Sequence, residues 1–456
     1  MTAIFFITTY QFPHLEHFTD DVEALALHTD TLVIDLVPSL PFRTDRVFTN
    51  PFEYLSRLCH NSSITPRVRS LLFRMNSVSR IQQPQISSLP HLAEIDFTEI
   101  YRTIKGFYIV QTNNTEPPAS LIEKLSLKLL PYFARLKAYL NNLSLSLNPK
   151  SIHIFNGRLP VESIISASFP SSQYVWYECN QANFGVIRLF HPIHDLRSYG
   201  CFEVPRLLQL IPAELLISTF QEYIIEKIGQ PLQYDLSASV GITYYTSSND
   251  EYSAWYDEPI CQHSIISRFV LFASETSTVS IRVHPNTSTK SKSNILYWQF
   301  LATSLSLIPG LRWYSFSSQQ SSYSLAAESS ATYSIGSSIG SELLFSGMLH
   351  TFIGDQHQYG SIPGIQTITE ASFLEFGPAE LSVTPPPTHD SFRASLAAAF
   401  FCTTDKLLAD YSTVSTYHRP GYIKLPPSLL RLEKFLLENK LCLTNSLQDL
   451  LDIHLP

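Results

Sequence analysis

The sequence lacks three features that would place it in other classes of protein. Its six cysteines are scattered and none stands in a CxxC pair, which argues against a disulfide framework and against a zinc site. Its 31 Lys and Arg residues are outnumbered by 39 Asp and Glu, and the formal net charge of -8 argues against a general nucleic-acid binder. No apolar run approaches the roughly 20 residues of a membrane-spanning helix, and the apolar start over 3–7 lacks the basic residues of an export signal. We therefore expect a cytoplasmic protein, with peripheral docking at the inner membrane left open.

The sequence does contain enough apolar residues for packed cores, since 44% of them are hydrophobic. A length of 456 residues predicts two domains of about 200 residues each. Short apolar or β-branched runs alternate with helix-like segments in both halves, and this order predicts parallel sheets covered by helices. We predict an α/β protein of two Rossmann-like domains, 1–232 and 233–390, that face each other across a cleft, with a helical tail over 391–456 packed back on them. The predicted strands cover 3–8, 31–36, 152–155, 174–177, 240–245, 279–283, 332–335 and 351–353.

Ligands of open parallel sheets bind beyond the carboxyl ends of the strands, so the residues that follow each strand are the first candidates for a site. After the strand that ends near Tyr245, hydroxyl, amide and carboxyl side chains follow one another. Ser247 and Ser248 are candidates to hold a phosphate or a sugar hydroxyl, and Asp250 or Glu251 is a candidate base or nucleophile. The same residues also suit an ordinary helix start, where a polar side chain caps the backbone and carboxylates face the positive end.

A second candidate segment follows the strand over 279–283. It places His284 at the carboxyl end of the strand, and Pro285 fixes the turn after it. An imidazole there can donate a hydrogen bond to the phosphate of a leaving nucleotide, so His284 is a candidate for catalysis as well as for nucleotide binding. Arg282 either serves the same phosphate or faces solvent.

A third candidate segment, Gly-Ser-Ser-Ile-Gly-Ser-Glu over 336–342, follows the strand over 332–335. Its small residues let the backbone approach a ligand, and the helix that begins there offers unpaired N–H groups to an anion near Ser337 and Ser338. Glu342 lies one helical turn after Ser338, so we expect its carboxylate to face the same cleft and to accept hydrogen bonds from ribose hydroxyls. The alternative is a tight strand-to-helix turn with a buried or solvated glutamate.

Taken in order, these segments resemble those of bacterial capsular-polysaccharide biosynthesis proteins of the GT-B type. The resemblance covers about residues 150–370. It rests on Tyr-Thr-Ser-Ser-Asn-Asp-Glu at 245–251, Arg-Val-His-Pro-Asn at 282–286, Ser-Ser-Tyr-Ser-Leu at 321–325, Gly-Ser-Ser-Ile-Gly-Ser-Glu at 336–342, Phe-Asn-Gly-Arg at 155–158 and Tyr-Glu at 177–178.

The resemblance implies a GT-B glycosyltransferase that moves a sugar from a CMP-, UDP- or GDP-linked donor to a surface glycan or lipid-linked acceptor, with no cofactor and no metal. It places Asn156, Arg158 and Tyr323 among the substrate-binding residues. Glu178 follows a strand of the first domain and is our first choice for the general base that deprotonates the acceptor hydroxyl. The alternative for Glu178 is a structural ion pair with Arg158 or Arg188.

Three other functions are compatible with this sequence: two would use the same nucleotide pocket and the third would use none. A nucleotide-sugar 2-epimerase and a CDP-polyol phosphotransferase would bind a nucleotide in the same place and differ in the first domain. A non-catalytic scaffold of capsule assembly would keep the fold without the chemistry. The sequence leaves these alternatives open.

Overall fold

The computed structural model describes most of the chain. The described residues are 2–10, 12–39, 65–86, 95–112, 117–156, 160–179, 185–229, 241–247, 261–275, 278–289, 292–355, 357–378, 385–403, 407–412 and 425–454.

The first sheet has six strands in the order β3-β2-β1-β4-β5-β6. All neighbouring strands run parallel except β6, which is antiparallel to β5. The central strand β1 is almost entirely buried because apolar side chains occupy both of its faces, as is usual for a parallel strand covered by helices on both sides. The strands are β1 (Thr2–Ile7), β2 (Asp30–Asp35), β3 (Arg80–Gln82), β4 (Ser151–Phe155), β5 (Gln173–Cys179) and β6 (Val186–Leu189).

Helices connect these strands and form the layers on either side of the sheet. The longest, of 29 residues, continues through Pro131 and turns its apolar stripe, with Phe133 at its centre, toward the core. The described α-helices of at least seven residues are α1 (Phe12–Leu25), α2 (Pro66–Val78), α3 (Phe97–Thr112), α4 (Ala119–Leu147), α5 (Pro160–Ser166), α6 (Val204–Leu210) and α7 (Ala213–Ile228).

The second sheet also has six strands, all parallel, in the order β12-β11-β10-β7-β8-β9. Both sheets therefore have the doubly wound order of a Rossmann fold, with the strand order reversing between β1 and β4 in the first and between β7 and β10 in the second. The predicted fold class of two Rossmann-like units, as in GT-B proteins, is confirmed. The strands are β7 (Ile242–Tyr245), β8 (Val279–Arg282), β9 (Leu311–Tyr314), β10 (Ala331–Ser334), β11 (His350–Ile353) and β12 (Gln366–Ile368).

The helices around the second sheet lead into the predicted helical tail, whose described helices pack back on the rest of the chain. The ring of Phe400 lies 4.8 Å from that of Phe220 in α7, and the guanidinium of Arg393 lies 4.3 Å from the ring centre of Phe345. The predicted boundary at 232/233 lies outside the described residues, so the domain limits stay a prediction. The helices are α8 (Gln262–Glu275), α9 (Lys292–Leu305), α10 (Ser322–Ala327), α11 (Ser338–Phe345), α12 (Glu370–Phe376), α13 (Asp390–Thr403), α14 (Pro427–Glu438) and α15 (Leu447–His454).

A buried ion-pair network ties the tail to the first sheet. Arg188 in β6 donates two hydrogen bonds to Asp21, at 2.6 and 2.7 Å, and one to Asp410 at 2.8 Å.

In the part of the chain that the structure describes, no helix is both long enough and apolar enough to span a bilayer.

Candidate active site

A cavity of about 230 Å³ lies at the carboxyl edge of the second sheet. Its walls come from the segments that follow β7, β8 and β10, from the start of α10 and from the end of α7. Since β7 and β10 flank the point where the strand order reverses, the cavity occupies the position where doubly wound sheets bind their ligands. The lining residues are Lys227, Tyr245, Thr246, Arg282, His284, Pro285, Asn286, Ser322, Tyr323, Ser337, Ser338 and Ile339.

Six residues that the sequence analysis selected from separate segments meet in this cavity. They meet because parallel strands end at one edge of the sheet, so that the loops after β8, β9 and β10 converge. Their binding roles stay predictions. The six are Arg282, His284, Pro285, Tyr323, Ser337 and Ser338.

His284 is fixed by two hydrogen bonds from neighbouring segments. Its backbone N–H donates to Thr246 Oγ1 at 2.9 Å, and its ring Nδ1 accepts from the backbone N–H of Asn286 at 3.2 Å. Because Nδ1 acts as the acceptor, a neutral imidazole carries its proton on Nε2. These two bonds set the position of the ring, which lines the cavity.

The start of α11 forms another wall of the cavity. Ser337 occupies the N-cap position but its hydroxyl makes no capping hydrogen bond, so the first backbone N–H groups of the helix keep their capacity to bind an anion. Gly336 turns the chain into the helix with a φ of 58°, a left-handed conformation that favours glycine. Gly340 lets α11 pack on β11, since a Cβ there would lie 2.4 Å from His350 Nε2.

Arg282 contributes a second polar group and also holds the serine-rich loop after β9. Its guanidinium donates to the backbone carbonyl oxygens of Ser315 and, at 3.3 Å, Ser318. Its buried Nε finds no hydrogen-bond partner among the described residues. Burial lowers the pKa of Arg282 below its usual value, which leaves the side chain charged at neutral pH because that value is so high.

The charged side chains among the described residues that line the cavity are all basic. Lys227 and Arg282 are cations, and none of the described lining residues is Asp or Glu. The chain as a whole carries a net charge of -8, so this local excess of positive charge is opposite in sign to the average. The arrangement favours an anionic ligand.

Glu342 is buried and is not among the described lining residues, which differs from the expectation that its carboxylate faces the same cleft; its predicted role toward a ribose stays a prediction. The residue is 0% exposed, and its carboxylate accepts from Lys227 Nζ at 2.8 and 3.1 Å and from the hydroxyl of Tyr323. Glu342 lies one turn further along α11 than Ser338, which lines the cavity. Its carboxylate therefore reaches Lys227 at the end of α7.

Ser247 is also a structural residue here. Its hydroxyl donates to the backbone carbonyl of Ile335 at 2.7 Å, and its backbone N–H donates to Gln262 Oε1 at 2.6 Å. The first bond ties the ends of β7 and β10 together, the second ties β7 to α8, and Ser247 is not among the described lining residues. The hydroxyl hydrogen of Ser247 thus has a structural acceptor, and the binding role predicted for this residue stays a prediction.

Four of the predicted site residues cannot be placed. Arg158, Ser248, Asp250 and Glu251 lie outside the described residues. Their predicted roles in substrate binding, nucleotide binding and catalysis remain predictions.

Lys227 is a cavity residue that the sequence analysis missed. It comes from the last turn of α7, which precedes the second sheet in the chain, and its side chain is 42% exposed. A lysine at the end of an amphipathic helix is an ordinary feature of a surface, so the sequence carries no signal for its position.

A second constellation lies at the carboxyl edge of the first sheet. Glu178 near the end of β5 accepts a hydrogen bond from Asn156 Nδ2 and contacts Nε2 of His14, while the backbone N–H of Cys179 donates to it at 2.9 Å. The alternative pairing with Arg188 is wrong, because Arg188 is committed to Asp21 and Asp410.

His14 is the second residue that the sequence analysis missed. It lies in the first turn of α1, which follows β1, and its buried Nδ1 has no hydrogen-bond partner among the described residues. With Nε2–H directed at the carboxylate of Glu178, the neutral ring keeps a lone pair on Nδ1. A histidine held by a carboxylate in this way can accept a proton.

No model of a protein family and no curated protein matches the chain. Among solved structures, a β-Kdo 2,7-transferase of Thermosulfurimonas dismutans, KpsC, matches with 12% identity and a TM-score of 0.32 over 66% of this chain and 90% of its own. The UDP-GlcNAc 2-epimerase of Methanocaldococcus jannaschii matches with 7% identity and a TM-score of 0.25 over 86% and 98%. MurG of Acinetobacter baumannii matches with 9% identity and a TM-score of 0.24 over 88% and 94%. At TM-scores this low the similarity carries no argument about activity.

Proposed function

We propose that the protein is a glycosyltransferase that moves a sugar from a nucleotide-sugar donor to a glycan or lipid-linked acceptor of surface polysaccharide synthesis. One observation supports this most: a cavity at the reversal point of a Rossmann-type sheet whose described charged lining side chains are all basic. Phosphates of nucleotides suit such a place because a helix start and cations act on them together. A cytoplasmic location, with docking at the inner membrane left open, belongs to the same proposal.

On the donor side, the reaction creates negative charge on the phosphate of the leaving nucleotide. His284 Nε2–H and the first N–H groups of α11 are fixed donors that would stabilise this charge. Arg282 adds positive charge from the loop side of the cavity. Because these groups are in place before the bond breaks, they stabilise the transition state at little cost in reorganisation. We propose on this basis that no metal ion is required.

On the acceptor side, the proposal assigns proton transfer to the pair of His14 and Glu178. The acceptor hydroxyl gives its proton to this pair as its oxygen attacks the anomeric carbon, and the nucleotide leaves with the electrons of the broken bond. The sequence makes Glu178 the first choice for the base. The geometry supports a shared role, in which Glu178 orients the ring of His14.

A panel of nucleotides in a thermal-shift experiment tests the donor half of this proposal. A ligand that binds only the folded protein raises its melting temperature, by an amount that grows with the ratio of ligand concentration to Kd. We expect one of CMP, UDP or GDP, with EDTA present, to stabilise the wild type and to act less on His284→Ala. Stabilisation that appears only with an added divalent metal would contradict metal independence. No response to any nucleotide would favour a non-catalytic scaffold.

A second experiment separates glycosyl transfer from the alternatives. Incubation of the stabilising sugar nucleotide in deuterated water, without acceptor, would introduce deuterium at C2 of the sugar if the protein were a 2-epimerase. Transfer of the activated group together with its phosphate would indicate a polyol phosphotransferase. We expect neither product, and transfer of the sugar alone once an acceptor is added.

A further inference from the structure

The two side chains of the ion pair between Lys227 and Glu342 differ strongly in their exposure to solvent. The carboxylate of Glu342 is fully buried, whereas the side chain of Lys227 is 42% exposed and lines the cavity. A buried carboxylate needs a partner, and Glu342 has two, because the hydroxyl of Tyr323 also donates to it. Each of these partners extends from Glu342 to the wall of the same cavity.

The ammonium group of Lys227 is held but not saturated by these contacts. An ammonium has three N–H donors, and its two contacts with Glu342, at 2.8 and 3.1 Å, go to one carboxylate. The rings of Tyr223 and Tyr323 lie 5.8 and 5.7 Å from Nζ, so two cation–π contacts add to the ion pair. A lysine held by these contacts has lost part of its rotamer freedom before any ligand arrives, which removes part of the cost of binding.

We propose that Lys227 is a further ligand of the nucleotide phosphate, and that Glu342 and Tyr323 are its positioning residues. This inference rests on the proposed function and deepens it. Lys227 comes from α7 rather than from any loop at the edge of the sheet, so it completes the cavity from outside the Rossmann-type unit. Glu342 thereby acquires a role different from the one predicted from the sequence, because it acts on the phosphate only through Lys227.

A simple removal of Lys227 would not test the proposal, because it would strand the carboxylate of Glu342 in the core and weaken the fold. The double variant Lys227→Met/Glu342→Gln removes both charges together, and the amide oxygen that replaces the carboxylate would still accept from Tyr323. The matched control is Arg431→Met/Glu222→Gln, which removes a salt bridge of 2.9 Å on the exposed face of the same helix α7.

The measurement is the Kd of the stabilising nucleoside monophosphate and of the corresponding nucleoside, by titration calorimetry on the full chain. For the double variant we expect the Kd of the monophosphate to rise by about tenfold or more, as loss of one charge-assisted hydrogen bond implies. The Kd of the nucleoside should stay within about twofold, since it carries no phosphate, and the control should match the wild type for both ligands. Tyr323→Phe should give a smaller loss that is also confined to the monophosphate.

Three outcomes would count against these claims. A double variant that binds the monophosphate as tightly as the wild type would show that Lys227 is only a structural counterion, and the inference would fail while the proposed function stands. A wild type that binds none of CMP, UDP and GDP would overturn the proposed function and this inference together. A loss of affinity shared equally by nucleoside and monophosphate would indicate a distorted cavity and would also reject the role in phosphate binding.

Discussion

Acidification should destabilise the second Rossmann-type unit through two buried histidines. His350 lies between the hydroxyls of Thr332 and Ser334, and burial lowers its pKa to about 3. His357 is 2% exposed, its ring lies 4.6 Å from that of Phe352, and burial lowers its pKa to about 4 despite the opposing charge of Asp355. Both rings are therefore neutral in the folded protein.

The magnitude follows from the difference between folded and unfolded pKa values. A histidine in the unfolded chain has a pKa near 6.5, so below that pH the unfolded chain binds protons that the folded chain does not bind. The contribution of these two histidines to the free energy of unfolding is thus fully present above about pH 7. It is lost as the pH falls from the pKa of the unfolded state toward the pKa of the folded state. Between pH 7 and pH 5 each histidine should remove about 2 kcal/mol from the free energy of unfolding, and the pair about 4 kcal/mol.

The variant His357→Phe isolates one of the two. It keeps an aromatic ring on Phe352, although it gives up the bond from the N–H of Tyr359 and the interaction with the backbone of Gly354. The variant can start from a different stability at pH 7. The decrease in its free energy of unfolding between pH 7 and pH 5 should be about 2 kcal/mol smaller than the decrease in the wild type.

Urea denaturation followed by tryptophan fluorescence measures this loss, because Trp298 is buried and Trp313 lies close to it in the second unit. The control is His263→Asn, which removes an exposed histidine and should leave the pH dependence unchanged. An equal loss of stability in His357→Phe and in the wild type would show that His357 does not contribute to this pH dependence.

Three further predictions concern the two candidate sites and the tail. His284→Ala should raise the Kd of the nucleotide by about tenfold to a hundredfold, the effect of one charge-assisted hydrogen bond, and an unchanged Kd in titration calorimetry would remove the imidazole from the site. His14→Gln and Glu178→Gln should each lower kcat by about a hundredfold or more while the Kd of the nucleotide stays constant, and steady-state kinetics with near-normal kcat in both would exclude the pair as the proton acceptor. Arg188→Met should cost about 3–5 kcal/mol in chemical denaturation because it strands two buried carboxylates. Changing both carboxylates to amides in that variant should restore most of the loss, and a variant without any loss would contradict the account of the tail.

The sequence predicts the centres of both sheets and misses their edges. All eight strands predicted from apolar runs are present, and the four that were missed, β3, β6, β9 and β12, are the edge strands. Three of these are partly exposed, so their side chains need not be uniformly apolar, and Arg80-Ile81-Gln82 is an example. The fourth, β6, is buried, but its short apolar run is interrupted by Arg188. Periodicity detects buried strands, and these edges offer too little of it.

The site was predictable where it depends on strand ends and unpredictable where it depends on packing. His284 and Ser338 belong to segments that parallel topology must bring to one edge, and topology is readable from the order of elements. The direction of Glu342 depends on how α11 packs against α7, which no local pattern encodes. Lys227 and His14 lie in helices, and tertiary contacts place these helices beside the two sites. The local sequence pattern therefore does not identify either residue.

A crystal structure of the full chain soaked with the nucleotide that stabilises it would show whether the cavity at the carboxyl edge of the second sheet holds the phosphate of the donor nucleotide. We expect a phosphate within hydrogen-bonding distance of His284 Nε2 and of the first backbone N–H groups of α11. A phosphate bound elsewhere, with this cavity left empty, would contradict the proposed donor site.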